Sequence, residues 1–173
     1  MKFVNFIAML CAAFVLSAAE TAIWDGTQAS VKTGNKATTA TAADGVLTLS
    51  GKSSDTARYS YQDCRIAVAP TAVKGKKLSV TIEPATTFSG DTIYFKGLNA
   101  QGKEVFSYVA YAVPAKKATY VIDFGKTTSP FRWLDAQIKM GPETPVSFLQ
   151  FFYGRATKES DMKVTISDIK LVD

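Results

Sequence analysis

The chain has no histidine. That removes the commonest general base and the commonest metal ligand, and it excludes Ser-His and Cys-His nucleophile pairs outright. Cysteine is scarce too, with only Cys11 and Cys64 in 173 residues. Cys11 falls in an N-terminal apolar stretch, which leaves one thiol for the body of the chain, and a lone thiol closes no internal disulfide. Cys64 reads as a buried, inert small side chain, with intermolecular pairing as the alternative. Basic residues outnumber acidic ones by 20 to 15 but are scattered, adjacent only at Lys76-Lys77 and Lys116-Lys117. Without a basic stripe, nucleic acid is not expected as a partner. Gly75-Lys76 lacks the remaining spacing of a phosphate-cradling loop and reads as a turn before a strand.

What is present starts with a leader. Lys2 supplies a short positive segment, and Phe3 to Leu16 is apolar apart from Asn5. Ser17-Ala18-Ala19 places small residues before a cleavage point. Residues 1–19 therefore read as a secretory signal peptide, shorter than the roughly 20 residues a membrane span needs. A lipid anchor on Cys11 is the alternative, for which Leu10 directly before it is a poor fit. Residues 20–173 are one domain by length, long enough for a sizeable core. The expectation is a secreted, periplasmic or cell-surface protein with no membrane anchor.

No long segment beyond the leader has helical periodicity. Short β-branched and aromatic runs alternate with turn signals instead. Leu78, Val80 and Ile82 alternate with Ser79 and Thr81 until Pro84 ends the run. Asn99-Ala100-Gln101-Gly102 is a four-residue hairpin turn between Thr92–Leu98 and Glu104–Val113. Arg58–Gln62 and Arg65–Val68 read as one interrupted strand, and Thr27–Asp44 as a long loop or weak edge strand. Phe131–Lys139 is irregular, with room for one helical turn. Roughly nine to ten strands at this spacing predict an all-β antiparallel sandwich. The last strand contains an anomaly: Val164 and Ile166 share one face, but Ile169 and Leu171 fall on the opposite phase. A bulge at Ser167-Asp168 would restore them to one side.

The order of pieces is distinctive. Ile23-Trp24-Asp25-Gly26 opens the chain, and Asp44-Gly45-Val46-Leu47-Thr48-Leu49 follows. After these come Lys77-Leu78-Ser79-Val80-Thr81-Ile82, the glycine-bearing hairpin, Thr119-Tyr120-Val121-Ile122-Asp123-Phe124, and the closing Val164-Thr165-Ile166-Ser167-Asp168-Ile169-Lys170-Leu171. Over nearly all of residues 22–173 this resembles the jelly-roll carbohydrate-binding modules of the galactose-binding-like fold. The resemblance implies a jelly roll and polysaccharide or oligosaccharide binding, here in a module without an attached glycosidase domain. It also implies a structural calcium between the first and last strands, with Asp168 as one ligand and the others from the N-terminal strand and an early loop. A plain bulge with a solvated carboxylate is the equally open reading of Asp168.

Catalysis is not expected. A glycosidase needs two carboxylates about 5–9 Å apart. Asp91, Glu104, Asp123, Asp135, Glu143, Glu159 and Asp161 fall mostly at strand ends or turns, and no two pair by spacing along one strand. A glycoside hydrolase or lyase is the least favoured reading. A structural or adhesive surface protein that assembles with other extracellular proteins is the alternative to a binder.

Sugars present flat C–H faces ringed by hydroxyls, so a binding surface needs aromatic platforms and hydrogen-bonding side chains. Trp133, beside Arg132, Asp135 and Gln137, reads as a rim platform, and Trp24 reads as core. Tyr94 and Lys96 take the phase opposite Ile93 and Phe95, and so face outward if those fill the core. Gln150 shares a face with Phe148 and Phe152 against Leu149, Phe151 and Tyr153. A glutamine there suits a solvent-open face rather than a dry core. Tyr94, Lys96, Gln150 and Trp133 are the carbohydrate-binding candidates. Arg58, Ser60 and Gln62 form a further polar phase opposite Tyr59 and Tyr61, with no sheet assigned.

Overall fold

A computed structural model describes residues 19–34, 38–53, 59–85, 91–113, 115–125, 137–138, 141, 143–156 and 161–173. Residues 1–18 and Trp133 lie outside the described residues. Strands are numbered in chain order. One sheet runs β3 (Thr39–Ala43), β4 (Val46–Lys52), β12 (Asp161–Val172), β6 (Lys77–Pro84), β9 (Ala118–Asp123), with β1 (Glu20–Ala22) also on β12. The other runs β10 (Gln137–Ile138), β8 (Glu104–Val113), β7 (Asp91–Leu98), β11 (Val146–Ala156), β5 (Tyr59–Thr71), β2 (Val31–Thr33). Every pairing is antiparallel. The long strands interleave as β4-β12-β6-β9 and β8-β7-β11-β5, because from β4 onward the chain changes sheet at β4–β5, β5–β6, β6–β7, β8–β9, β9–β10 and β11–β12. That double-sheet winding is a jelly roll, as expected.

The core lies between the sheets and follows the period of two. Leu78, Val80 and Ile82 of β6 meet Ile93 and Phe95 of β7, Leu149, Phe151 and Tyr153 of β11, and Cys64 and Ile66 of β5 in one buried cluster. Trp24 belongs to it, its indole N–H donating to Ser30 Oγ at 2.7 Å. The described strands number twelve, more than expected, because Thr27–Asp44 is not merely a loop. It holds a short 3-10 turn (Gln28–Ser30), then β2 and β3, each short and at the edge of a different sheet. Asp44 and Gly45, both at positive φ (50° and 74°), close the β3–β4 hairpin as a two-residue turn. β5 is continuous where an interruption was expected.

The phase slip in β12 is a bulge. Ser167 pairs Thr81 and Lys170 pairs Ser79, so Asp168 and Ile169 together oppose Val80. Asp168 takes φ +51°, a left-handed conformation that aspartate tolerates better than most residues. Val164, Ile166, Ile169 and Leu171 are all consequently buried. β12 also changes neighbour at this point. Its pairing with β4 ends at Ile166↔Leu47, and its pairing with β1 begins at Lys170↔Ala22.

Candidate functional site

On the β8–β7–β11–β5–β2 sheet, one phase of each strand fills the core and the other faces outward. Leu149, Phe151 and Tyr153 are fully buried, while Phe148, Gln150 and Phe152 are half-buried. Ile93 and Phe95 are fully buried, while Tyr94 and Lys96 are half-exposed. Three of the four sequence candidates, Tyr94, Lys96 and Gln150, therefore share the outer face of one sheet. Trp133 lies outside the described residues.

Strand register turns these positions into rows. Lys32, Arg65, Gln150, Lys96 and Ser107 are consecutive partners across β2, β5, β11, β7 and β8. At the usual strand spacing that polar row is roughly 19 Å long. One step along the strands, Asp63, Phe152, Tyr94 and Val109 form the next row. Tyr94 stacks on Phe152 with centroids 5.4 Å apart, and Tyr61 meets Phe152 edge-on at 6.5 Å. Tyr61 can lie over β11 because its cross-strand partner is Gly154, where a Cβ would collide with the tyrosine ring.

Lys96 ties the two rows together. Its ammonium is 3.1 Å from Glu104 Oε2, 5.1 Å from the Tyr94 ring centroid and 6.0 Å from that of Phe152. Partial burial acts to lower its pKa, but hydrogen bonds with Tyr94 and Glu104 outweigh that and hold it above the ordinary lysine value. The group stays charged at neutral pH. The Arg65 guanidinium sits 5.6 Å over the Phe148 ring, a cation–π arrangement that presets its position. A shallow hollow lined by Trp24, Asp25, Ser30, Ala67 and Ala69, among others, adjoins this face at the β5 edge.

Sequence reasoning missed Tyr61, Phe152 and Arg65. The Phe152 signal was its shared phase with Gln150; for Tyr61 and Arg65, β5 gave no sheet assignment. It also grouped Gln62 with a polar phase, but Gln62 is buried, at 1% exposure. Its amide is satisfied there, donating to Lys52 O at 3.0 Å and accepting from Thr38 Oγ1 at 3.1 Å. Nearby, the Tyr153 hydroxyl donates to the buried Asp91 carboxylate. A small polar cluster thus sits at one end of the core.

Asp168 is exposed, accepts a long hydrogen bond from Ser167 Oγ at 3.5 Å, and adds its charge to the Glu20 hydrogen bond in raising the pKa of Lys170. Among the described residues no three acidic or cysteine side chains gather as metal ligands.

No protein-family model matches the chain. No curated protein matches it either. Solved structures do. A family 11 carbohydrate-binding module from Clostridium thermocellum, in complex with a beta-1,3-1,4-mixed-linked tetrasaccharide, superposes with a TM-score of 0.53 at 12% identity, over 90% of this chain and 96% of that one. The chain has the fold of a carbohydrate-binding module. A second structure of a family 11 module, from a cellulosomal cellulase of the same organism, gives 0.51 at 14% identity, over 90% of this chain and 95% of that one. An agarase gives 0.58 at 12% identity over 89% of this chain, but the chain spans only 24% of the agarase. Whole-length correspondence is thus with carbohydrate-binding modules, and identities this low speak to fold alone.

Proposed function

We propose that the protein is a secreted, non-catalytic polysaccharide-binding module whose ligand lies across the outer face of the β8–β7–β11–β5–β2 sheet. The observation that carries this reading is the registered pair of rows: stacked Tyr94 and Phe152 with Tyr61 at their edge, beside Lys96, Gln150 and Arg65. Aromatic faces pack against sugar C–H surfaces while the flanking groups hydrogen-bond to hydroxyls. Trp133 is the rim candidate. The family 11 structure with a bound tetrasaccharide supports a sugar as the ligand class.

Carboxylate placement supports binding without cleavage. Among the described residues the two acids on this face, Asp63 and Glu104, stand on β5 and β8, three strand spacings apart, so that their backbones are roughly 14 Å from each other. That exceeds the roughly 5–9.5 Å between the carboxylates of glycosidases. Asp91 faces the core at the far end of the β7–β8 hairpin from Glu104. The structural-assembly alternative drew on the leader, the Ala/Thr-rich Thr27–Asp44 segment and Cys64, and full burial of Cys64 weakens the last of these. Secretion rests on the leader sequence, and since β1 begins at Glu20, cleavage after Ala19 leaves every strand whole.

The test is co-sedimentation with insoluble polysaccharides, with reducing ends measured in the same tubes. Depletion from solution without new reducing ends is the expected result. Sugar release at enzyme-like rates would overturn the non-catalytic reading, and no depletion on any polysaccharide would overturn the binding one.

A further inference from the structure

The charge on the outer face is uneven along the polar row. Lys96 is already engaged by Glu104 and two aromatic rings. At the other end, Lys32 and Arg65 are direct cross-strand partners. They share a face, because Val31 and Ile66, the neighbouring pair, pack into the core. Among the described residues no carboxylate forms an ion pair with either cation. Arg65 is half-buried and fixed over Phe148. Asp63 stands one same-face step along β5 with its carboxylate against Gly34, and it forms no ion pair with either cation, so the partly desolvated guanidinium is left without a close counter-charge unless something anionic arrives. Its planar fork of donors matches a carboxylate or sulfate in a bidentate fashion. A neutral sugar accepts hydrogen bonds from these groups but does not neutralise their charge.

We infer that the ligand is an acidic glycan whose anionic substituent, carboxylate or sulfate, docks at the Lys32–Arg65 end of the row while its ring faces stack at Tyr94, Phe152 and Tyr61. This rests on the polysaccharide reading above and specifies its substrate class. The two anion chemistries share the same recognition, and separate probes distinguish them.

The experiment is a calorimetric titration of the protein with neutral agarose oligosaccharides, oligogalacturonate and sulfated carrageenan oligosaccharides, at about 0.01 M and about 1 M salt. At low salt, at least one charged glycan should bind roughly tenfold or more tightly than the neutral one. Arg65→Gln should remove that advantage, weakening charged-glycan binding by about tenfold more than neutral-glycan binding, and Arg65→Lys should restore only part of it. High salt should narrow the gap. Lys163→Gln, on the exposed face of the other sheet, controls for general attraction to a basic protein and should change nothing. If Lys163→Gln weakens binding as much as Arg65→Gln, the attraction is diffuse and the inference fails. If the neutral glycan binds as tightly as both charged ones, the inference fails while the polysaccharide reading stands. If no glycan binds at either salt, both fail.

Discussion

Neighbouring residues on β7 have opposite duties. Phe95 is fully buried, its ring 4.9 Å from that of Tyr108 and 5.6 Å from that of Phe151. Tyr94, one position away, lies on the other face. Phe95→Ala should cost roughly 3–5 kcal/mol, the range for an emptied aromatic core site. Tyr94→Ala loses one stacked pair and should cost no more than about 1.5 kcal/mol. Chemical denaturation of both variants checks the phase assignment; the reverse order of costs would invert it. Cys64 makes a second residue-scale prediction. Burial, reinforced by the nearby Asp63 charge, pushes its thiol from 9.0 up to about 12. The folded value is the higher one, so the thiol's contribution is complete below pH 9.0 and is lost as pH rises toward 12. Relative to Cys64→Ala, the wild type should therefore lose about 1.4 kcal/mol of stability per pH unit above that point. A stability difference that stays flat through pH 10 would contradict the burial argument. The sequence made Tyr94 and Phe95 legible because alternation on β7 is uninterrupted. It misplaced Gln62 because alternation alone cannot see the Thr38 and Lys52 partners that make a buried amide tolerable.

At the scale of the element, β12 shows how a local irregularity preserves a global pattern. Its phase slip was legible in the sequence, since four apolar residues on two phases admit few solutions. The neighbour exchange from β4 to β1 was not, because it depends on chain segments some 120 to 150 residues away. Asp168 holds φ +51° without a Cβ-free backbone, so Asp168→Gly should be neutral or slightly stabilising, and Asp168→Val should cost roughly 1–2 kcal/mol. If Asp168 ligates a calcium ion, chelator should lower the wild-type melting temperature and Asp168→Asn should abolish that fall; no shift with chelator or with added calcium would leave the carboxylate a plain bulge residue. The sequence reading left Thr27–Asp44 open between a long loop and a weak edge strand because three- and five-residue strands, one of them rich in alanine, carry little signal; pairing of β2 with β5 and of β3 with β4 supplies what propensity does not.

The whole molecule presents two outer sheet faces of different character. The β3–β4–β12–β6–β9 face carries hydroxyls in register, such as Thr41, Thr48 and Thr165 on consecutive strands. The β8–β7–β11–β5–β2 face carries aromatics and cations. Fold class and half of this second face followed from periodicity, but joining β5 to β11 required the jelly-roll winding itself. The most direct measurement compares the two faces. A Tyr94→Ala, Phe152→Ala variant and a Thr48→Ala, Thr165→Ala variant are titrated with whichever polysaccharide the wild type binds, with melting temperatures recorded alongside. The first should lose affinity by roughly a hundredfold, two aromatic contacts at about 1–1.5 kcal/mol each, and remain folded. The second should bind like the wild type. Undiminished binding by the first, with loss in the second, would place the ligand on the opposite sheet and contradict the account.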